Sequence, residues 1–293
     1  MVLGVCALGP WRRRIQSARS AWDTRFVVAN FTAAPEVVAL AADWHGNLGW
    51  AQRILTIAHD AGARTVLQLG DFGFWRADPA TRKYLSRLER MLGEREMQLL
   101  WIDGNHEDHA RIASLPLADD GTQPISDHIT HLPRGFRWKW LDGDGRRYTW
   151  LALGGAVSVD RQWRTAGRSW WSEEQISRND ADTAIAGGPV DVMVSHDAPA
   201  GVMIPGIGAH GWPADALRDA DAHRRLLREV VDAVQPQHLW HGHYHVRYDA
   251  LLEVVGGDEP QICHVHGLDR DDSAPSLNLE FVDASGQRAF SAH

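Results

Sequence analysis

The chain has 293 residues, 44% of them hydrophobic and 23% charged, and carries a formal net charge of −8. That length is enough to bury a full core, and the composition is ordinary for a globular protein. The acidic balance gives no sign of a surface that coats nucleic acid, no apolar run approaches the roughly 18 residues that cross a bilayer, and Cys6 and Cys263 alone make no disulfide framework.

The expected location is therefore a reducing, cytoplasmic one. Arg12, Arg13 and Arg14 follow the mildly apolar start instead of preceding it, the wrong order for a secretory signal. Residues 1–35 show no sustained period and are expected to form an N-terminal extension, poorly ordered or loosely docked. A single domain is expected over residues 36–293.

From Glu36 the pattern tightens. Val37 to Ala41 is a short apolar run leading to Asp43, which suits a buried strand with a polar side chain delivered at its C-terminal end. Leu48, Ala51, Ile54, Leu55 and Ala58 follow at helical spacing, with Gly62 as the stop. Thr65–Leu69 reads as a strand running into Gly70-Asp71. Pro79–Leu92 reads as a helix closed by Gly93, and Gln98–Ile102 as a strand running into Gly104-Asn105-His106. Strand, polar loop and helix in repetition make an α/β signature, with the polar groups where open sheets place their sites.

The middle of the chain differs. Arg137–Leu141 and Tyr148–Leu153 flank Asp142-Gly143-Asp144-Gly145 and predict a hairpin. After Gly154-Gly155, the stretch Ser158–Glu174 is polar, arginine-rich and aromatic. Asp191–Val194 reads as a strand leading to His196, Ala214–Val234 as a helix, and Gln237–Trp240 as a strand leading to His243. Three further β-like stretches are Tyr248–Val255, Gln261–Val265 and Leu277–Val282.

Five segments carry the chemistry: Asp43-Trp44-His45, Gly70-Asp71, Gly104-Asn105-His106-Glu107, Ser195-His196-Asp197 and Gly242-His243-Tyr244-His245. Imidazole nitrogens mixed with carboxylate and amide oxygens, without thiolates, suit manganese, iron or zinc. Eight candidate side chains (Asp43, His45, Asp71, Asn105, His106, His196, His243 and His245) are too many for one ion. A shared carboxylate would make two sites about 3.5–4 Å apart, the spacing used for in-line attack at phosphorus. A metal-dependent phosphoesterase with two divalent ions is expected, manganese first and iron or zinc as alternatives.

The order of these segments resembles the calcineurin-like metallophosphoesterase superfamily over Val37–His245, extending through the strands to about His266. Gly155-Ala156-Val157-Ser158-Val159-Asp160, followed by Arg164, Gly167, Ser169-Trp170-Trp171 and Glu173, is similar to a group of small bacterial and phage phosphoesterases within it. The resemblance implies an α/β, four-layer αββα sandwich of two mixed sheets flanked by helices. It implies that Asp43, His45 and His245 hold one ion, that Asn105, His196 and His243 hold the other, and that Asp71 bridges them. His106 then contacts the phosphate, with Asn105, and protonates the leaving oxygen while a metal-bridging hydroxide attacks. Arg164 falls on the smaller group's pattern and is the candidate phosphate clamp; Arg161 and Arg168 lie beside it.

The superfamily's protein phosphatases carry an arginine soon after the bridging aspartate. Here that loop is Phe72-Gly73-Phe74-Trp75, which argues against a protein substrate and suits either base stacking or core packing. Asp108 is a candidate to orient His106 or to charge a helix start, and His241 a candidate for packing behind the ligands. Trp170 and Trp171 either pin the insert or cap the cleft. The expected substrate is a small phosphodiester, nucleotide-like, with a phosphomonoester as the alternative. A nuclease is the second reading, although it would want a basic track. A metal-bound regulatory module without turnover is the third.

Overall fold

Alternating side chains on the strands near the N-terminal half divide between two cores. In the computed structural model, which describes residues 29–30, 37–207, 211–256 and 261–290, Val38 and Leu40 face one core while Ala39 and Ala41 face another. A strand buried on both faces has to lie inside a layered sheet.

The elements in chain order are β1 (Ala29–Asn30), β2 (Val38–Ala41), α1 (Leu48–Asp60), β3 (Thr65–Leu69), α2 (Pro79–Glu94), β4 (Gln98–Ile102) and α3 (His109–Ala113). Then come β5 (Gln123–Pro124), β6 (Ile129–His131), β7 (Arg137–Leu141), β8 (Arg147–Leu153), α4 (Arg178–Ala186), β9 (Val192–Ser195) and α5 (Ala214–Val234). The last are β10 (His238–His241), β11 (Tyr248–Val254), β12 (Gln261–Gly267), α6 (Pro275–Asn278), β13 (Leu279–Val282) and β14 (Arg288–Phe290).

They build two seven-stranded mixed sheets, in the orders β14-β13-β2-β3-β4-β6-β5 and β1-β7-β8-β9-β10-β12-β11. Between the sheets, Leu40, Leu67 and Ile102 of one pack with Trp138, Trp140, Trp150 and Val194 of the other. The outer face of the first sheet is covered by Ile54, Leu55 and Leu88 from α1 and α2. The outer face of the second meets Ala181 and Ala184 of α4 and Leu227, Val230 and Val231 of α5. The four-layer αββα arrangement expected from the resemblance is the one found. Among the described residues, six of the chain's 14 tryptophans (Trp44, Trp101, Trp138, Trp140, Trp150 and Trp240) are fully buried and belong to the core. No described helix is long and apolar enough to cross a membrane.

Several boundaries differ from the sequence expectations. α2 does not stop at Gly93 but runs to Glu94, and Glu96 takes the left-handed turn at φ 53°. Gly93 instead gives room to His128, whose Cε1 would lie 3.2 Å from an added Cβ. The expected strand from Leu277 starts only at Leu279, because Pro275 and its followers form α6. The insert Ser158–Glu174 holds two short 3₁₀ turns. Of the extension 1–35, Ala29–Asn30 pairs in parallel with Trp138 and Lys139; the rest lies outside the described residues.

Candidate metal centre

The polar segments leave the carboxyl ends of β2, β3, β4, β9 and β10 and meet at one edge of the sandwich. Main-chain bonds lock them together: Asp43 N–H donates to Gly70 O at 3.0 Å and His45 N–H to Asp71 O at 2.8 Å. Among the described residues, eight that are not glycine have positive φ, and five of them are Asp43, His45, Asp71, His243 and His245. Such backbone is costly outside glycine. Its concentration here means the packing around the site holds these side chains in place.

Two glycines show how closely the chain is drawn in. A Cβ on Gly104 would lie 2.2 Å from Asp71 Oδ1, and one on Gly242 would lie 2.3 Å from Asp43 Oδ2. The glycines of the Gly-Asn-His-Glu and Gly-His-x-His segments are thus where backbone passes over a carboxylate.

Asp71 is at the centre. Its Oδ2 lies 3.5 Å from His45 Nε2, 3.4 Å from His196 Nε2 and 3.8 Å from His106 Nε2, and its Oδ1 accepts the His106 N–H at 2.8 Å. Asp43 Oδ1 lies 3.5 Å from His245 Nε2, and the Asp43 carboxylate accepts the His243 N–H. Asn105 Oδ1 is 3.2 Å from His196 Nε2, and the rings of His196 and His243 are 5.1 Å apart. Each expected ligand is therefore brought to one place. Asp43, His45 and His245 have ligand atoms within 4.8 Å of one another, as do Asp43, Asp71 and His196.

The electrostatics suit a cation. Burial alone would push the Asp71 carboxyl up, yet the charges and hydrogen bonds of His106, His196 and His45 hold it well below its usual range. Asp43 is lowered in the same way, against its burial, by His245 and His196. Burial depresses His45 and His196, but Asp71 overrides it and lifts them to about 9 and about 10. Ionised, desolvated carboxylates need nearby positive charge. Divalent ions supply it in place of the imidazole protons. His196 Nδ1 is 2.7 Å from the Leu69 carbonyl, which assigns a proton to Nδ1 and makes Nε2 the nitrogen that could face a cation. The donor set fits divalent metal ions.

The insert brings Arg164 to this edge, where its Nη2 lies 2.8 Å from His106 Nε2. His106 is lowered from its usual value by burial, with the charges of Arg164 and His45 adding to the effect and Asp71 opposing it. Beside them is a cavity of about 260 Å³ lined by Trp75, Arg76, His106, Arg164, Arg168 and Trp171, among others. Phe72 and Phe74 are fully buried against Trp101 and belong to the core. Trp75, 40% exposed, is the aromatic that reaches the cavity. Trp171 lies beside that cavity and also packs near His109.

Other candidates fall elsewhere. Asp108 caps α3 through the Arg111 N–H. Both ring nitrogens of His241 are engaged, with Gly242 O and the Tyr248 hydroxyl, so it packs behind the site. Asp197 holds its loop through Tyr244 and His223. Glu107 accepts the N–H groups of Gly73 and Gly104, and burial with the charge of Asp71 pushes it up to about 8.

Two contributors have no local signal. His45 Nδ1 donates to Asp271 Oδ1 at 3.0 Å from 226 residues away. Asn105 is held by Ser158, a serine visible in the sequence only as part of the insert's pattern.

The sequence profile of the calcineurin-like phosphoesterase family matches residues 37–247. No curated protein matches the chain. Among solved structures, TT1561 of Thermus thermophilus is similar with a TM-score of 0.46 and 10% identity, covering 85% of this chain and 99% of that one. A second structure gives a TM-score of 0.49 and 11% identity, covering 85% and 95% of the two chains. With the profile spanning well over half of its length, the chain belongs to the calcineurin-like phosphoesterase family, hydrolases that act on phosphate esters.

Proposed function

We propose that this chain hydrolyses a small, nucleotide-like phosphodiester with two divalent ions, manganese first, in a cytoplasmic setting. Asp43, His45 and His245 would hold one ion, Asn105, His196 and His243 the other, and Asp71 both. The distances of a single Asp71 oxygen to His45 and to His196 support the bridge. When bound, the ions supply a nucleophile at neutral pH and neutralise charge on the phosphate.

The observation that carries the substrate reading is the pairing of Arg164 with His106 at the mouth of a cavity flanked by Trp75 and Trp171. Arg164 brings a guanidinium charge suited to phosphate oxygens, its Nε and Nη2 edge held in place by Asp160. His106 stands beside it, close to Asp71. Its Nε2 accepts from Arg164 here, and with the guanidinium turned to the phosphate a protonated His106 would place a proton on the leaving oxygen. The two indoles offer flat apolar faces to a base or similar group. A cavity of that size favours a small ester over a long polymer, and the net charge of −8 points the same way.

The test is a turnover panel on the purified chain reconstituted with Mn²⁺, covering aryl phosphomonoesters, aryl phosphodiesters, and 2′,3′- and 3′,5′-cyclic nucleotides. Diesters, and at least one cyclic nucleotide, should give the highest kcat/KM. Monoesters outrunning every diester would overturn the substrate reading, and salt-sensitive cleavage of long DNA would favour the nuclease.

A further inference from the structure

A ligating asparagine has a weakness that aspartate lacks. Its amide can turn over, exchanging oxygen for an NH₂ group of nearly the same size, and only the oxygen binds a cation. Something must accept from Nδ2 and refuse to donate to it.

That partner is Ser158, at the start of the insert. Asn105 Nδ2 donates to Ser158 Oγ at 3.0 Å. Ser158 Oγ donates to Glu174 Oε2 at 2.7 Å, and the Ser158 N–H donates to Glu174 Oε1 at 2.7 Å. Burial raises Glu174 to about 7 against its hydrogen bonds to Ser158, and above that value, with the carboxylate ionised, proton count fixes the direction of the chain. An ionised carboxylate only accepts, and a hydroxyl has one proton to give. Ser158 therefore spends its proton on Glu174 and turns a lone pair to Asn105. Asn105 must then donate through Nδ2, which leaves Oδ1 on the side of His196 Nε2. Asn105, Ser158 and Glu174 are 2%, 1% and 0% exposed, so bulk water has little access to compete.

The same contact closes the insert at its base. Ala156 N–H donates to Glu174 O at 3.0 Å, and Arg134, paired with Asp103, donates to the carbonyls of Glu173, Glu174 and Gln175. Between these ends the loop carries Arg164 to His106.

We infer that Ser158 and Glu174 are positioning residues that lock the Asn105 amide with Oδ1 toward the metal centre, and that the insert is anchored through this lock. The inference rests on Asn105 being a ligand. Substituting the partners of ligating side chains typically weakens metal binding about 10–100-fold.

The experiment is calorimetric titration of the chelator-treated full chain with Mn²⁺, in mildly alkaline buffer that keeps Glu174 ionised, with melting temperatures measured alongside. Glu174→Gln keeps the volume but turns one end into a donor, and Ser158→Ala removes the hydroxyl. Both should weaken one of two binding events about 10–100-fold, the same event that Asn105→Ala weakens, with little change in melting temperature. Ser158→Thr, which retains a hydroxyl, should recover most of the loss. Wild-type affinity in Glu174→Gln and Ser158→Ala, beside a weakened Asn105→Ala, would overturn the lock and leave the ligand reading standing. Loss of both binding events with a lowered melting temperature would make the clasp purely structural. An Asn105→Ala chain that binds both ions normally would remove the ligand assignment itself.

Discussion

Arg164 Nη2 stands 2.8 Å from His106 Nε2, and Asp160 grips the same guanidinium through both of its oxygens at 2.7 and 2.8 Å. The loop thus holds a fixed guanidinium charge against the histidine expected to serve the leaving group. Arg164→Ala should lower kcat/KM by one to two orders of magnitude, about 1.4–2.7 kcal/mol. Its other partners, Asp160 and Ser169 O, lie within the same loop, so the melting temperature should hardly move. Spared kinetics with a clearly lower melting temperature would make Arg164 a structural residue.

His106 is placed to act without ligating. His106→Gln should retain bound metal, and its turnover should fall by about 10²–10⁴-fold on esters with poor leaving groups. Nitrophenolate needs little protonation, so nitrophenyl esters should suffer less. Equal losses across leaving groups would leave His106 as a phosphate-positioning residue with no acid role.

Gly104 tests how tightly the backbone closes on Asp71. An added Cβ would fall 2.2 Å from Asp71 Oδ1 and 2.8 Å from His196 Nε2. Gly104→Ala should cost about 1–3 kcal/mol of stability, as overpacking does, and should sharply reduce metal content. Gly143, with nothing within 4 Å of its added Cβ, gives the matched control, and Gly143→Ala should be neutral in both assays. Normal metal loading in Gly104→Ala would show that the site yields more easily than the geometry implies.

Acid should destabilise the metal-free chain. Burial holds His109, His238 and His266 each at about 4, below the roughly 6.5 of an exposed imidazole. Between those values the unfolded chain binds protons that the folded chain does not, so stability is present above about 6.5 and is lost as pH falls toward 4. Glu107 and Glu174, raised to about 8 and about 7, oppose this down to about 4.5. The depressed imidazoles, which include His241 and His243, outnumber them, and lowered carboxylates such as Asp249 and Glu89 add to the loss at lower pH. Melting temperatures in chelator should decline steadily below about pH 6.5; a flat profile down to about pH 4.5 would contradict the buried neutral state of these histidines.

The ligand-bearing strands are legible in the sequence because each is a short apolar run ending in a fixed polar pattern. Thr65–Leu69 and Gln98–Ile102 have the expected bounds, and so does the long amphipathic helix Ala214–Val234. Helix α4 is absent from the sequence expectations, since Arg178–Ala186 buries only Ala181 and Ala184. Such a helix shows little apolar periodicity, and its start is marked mainly by the Ser177–Asp180 capping box. Strands β5 and β6 are too short to show alternation. Asp271 and His45 meet across 226 residues, a contact no local pattern encodes. The Ser158–Glu174 clasp is hidden for a related reason: its meaning depends on Asn105, which comes from another strand end.

The central claim is that Asp71 serves two ions and that catalysis depends on both. The most direct measurement is bound metal per chain, with turnover of an aryl phosphodiester, for the Mn²⁺-loaded chain and for Asp71→Asn. The geometry, with one Asp71 oxygen 3.5 Å from His45 Nε2 and 3.4 Å from His196 Nε2, predicts that Asp71→Asn weakens both ions and abolishes turnover. Asn105→Ala should mainly weaken one. An Asp71→Asn chain that keeps two ions and full activity would contradict the account.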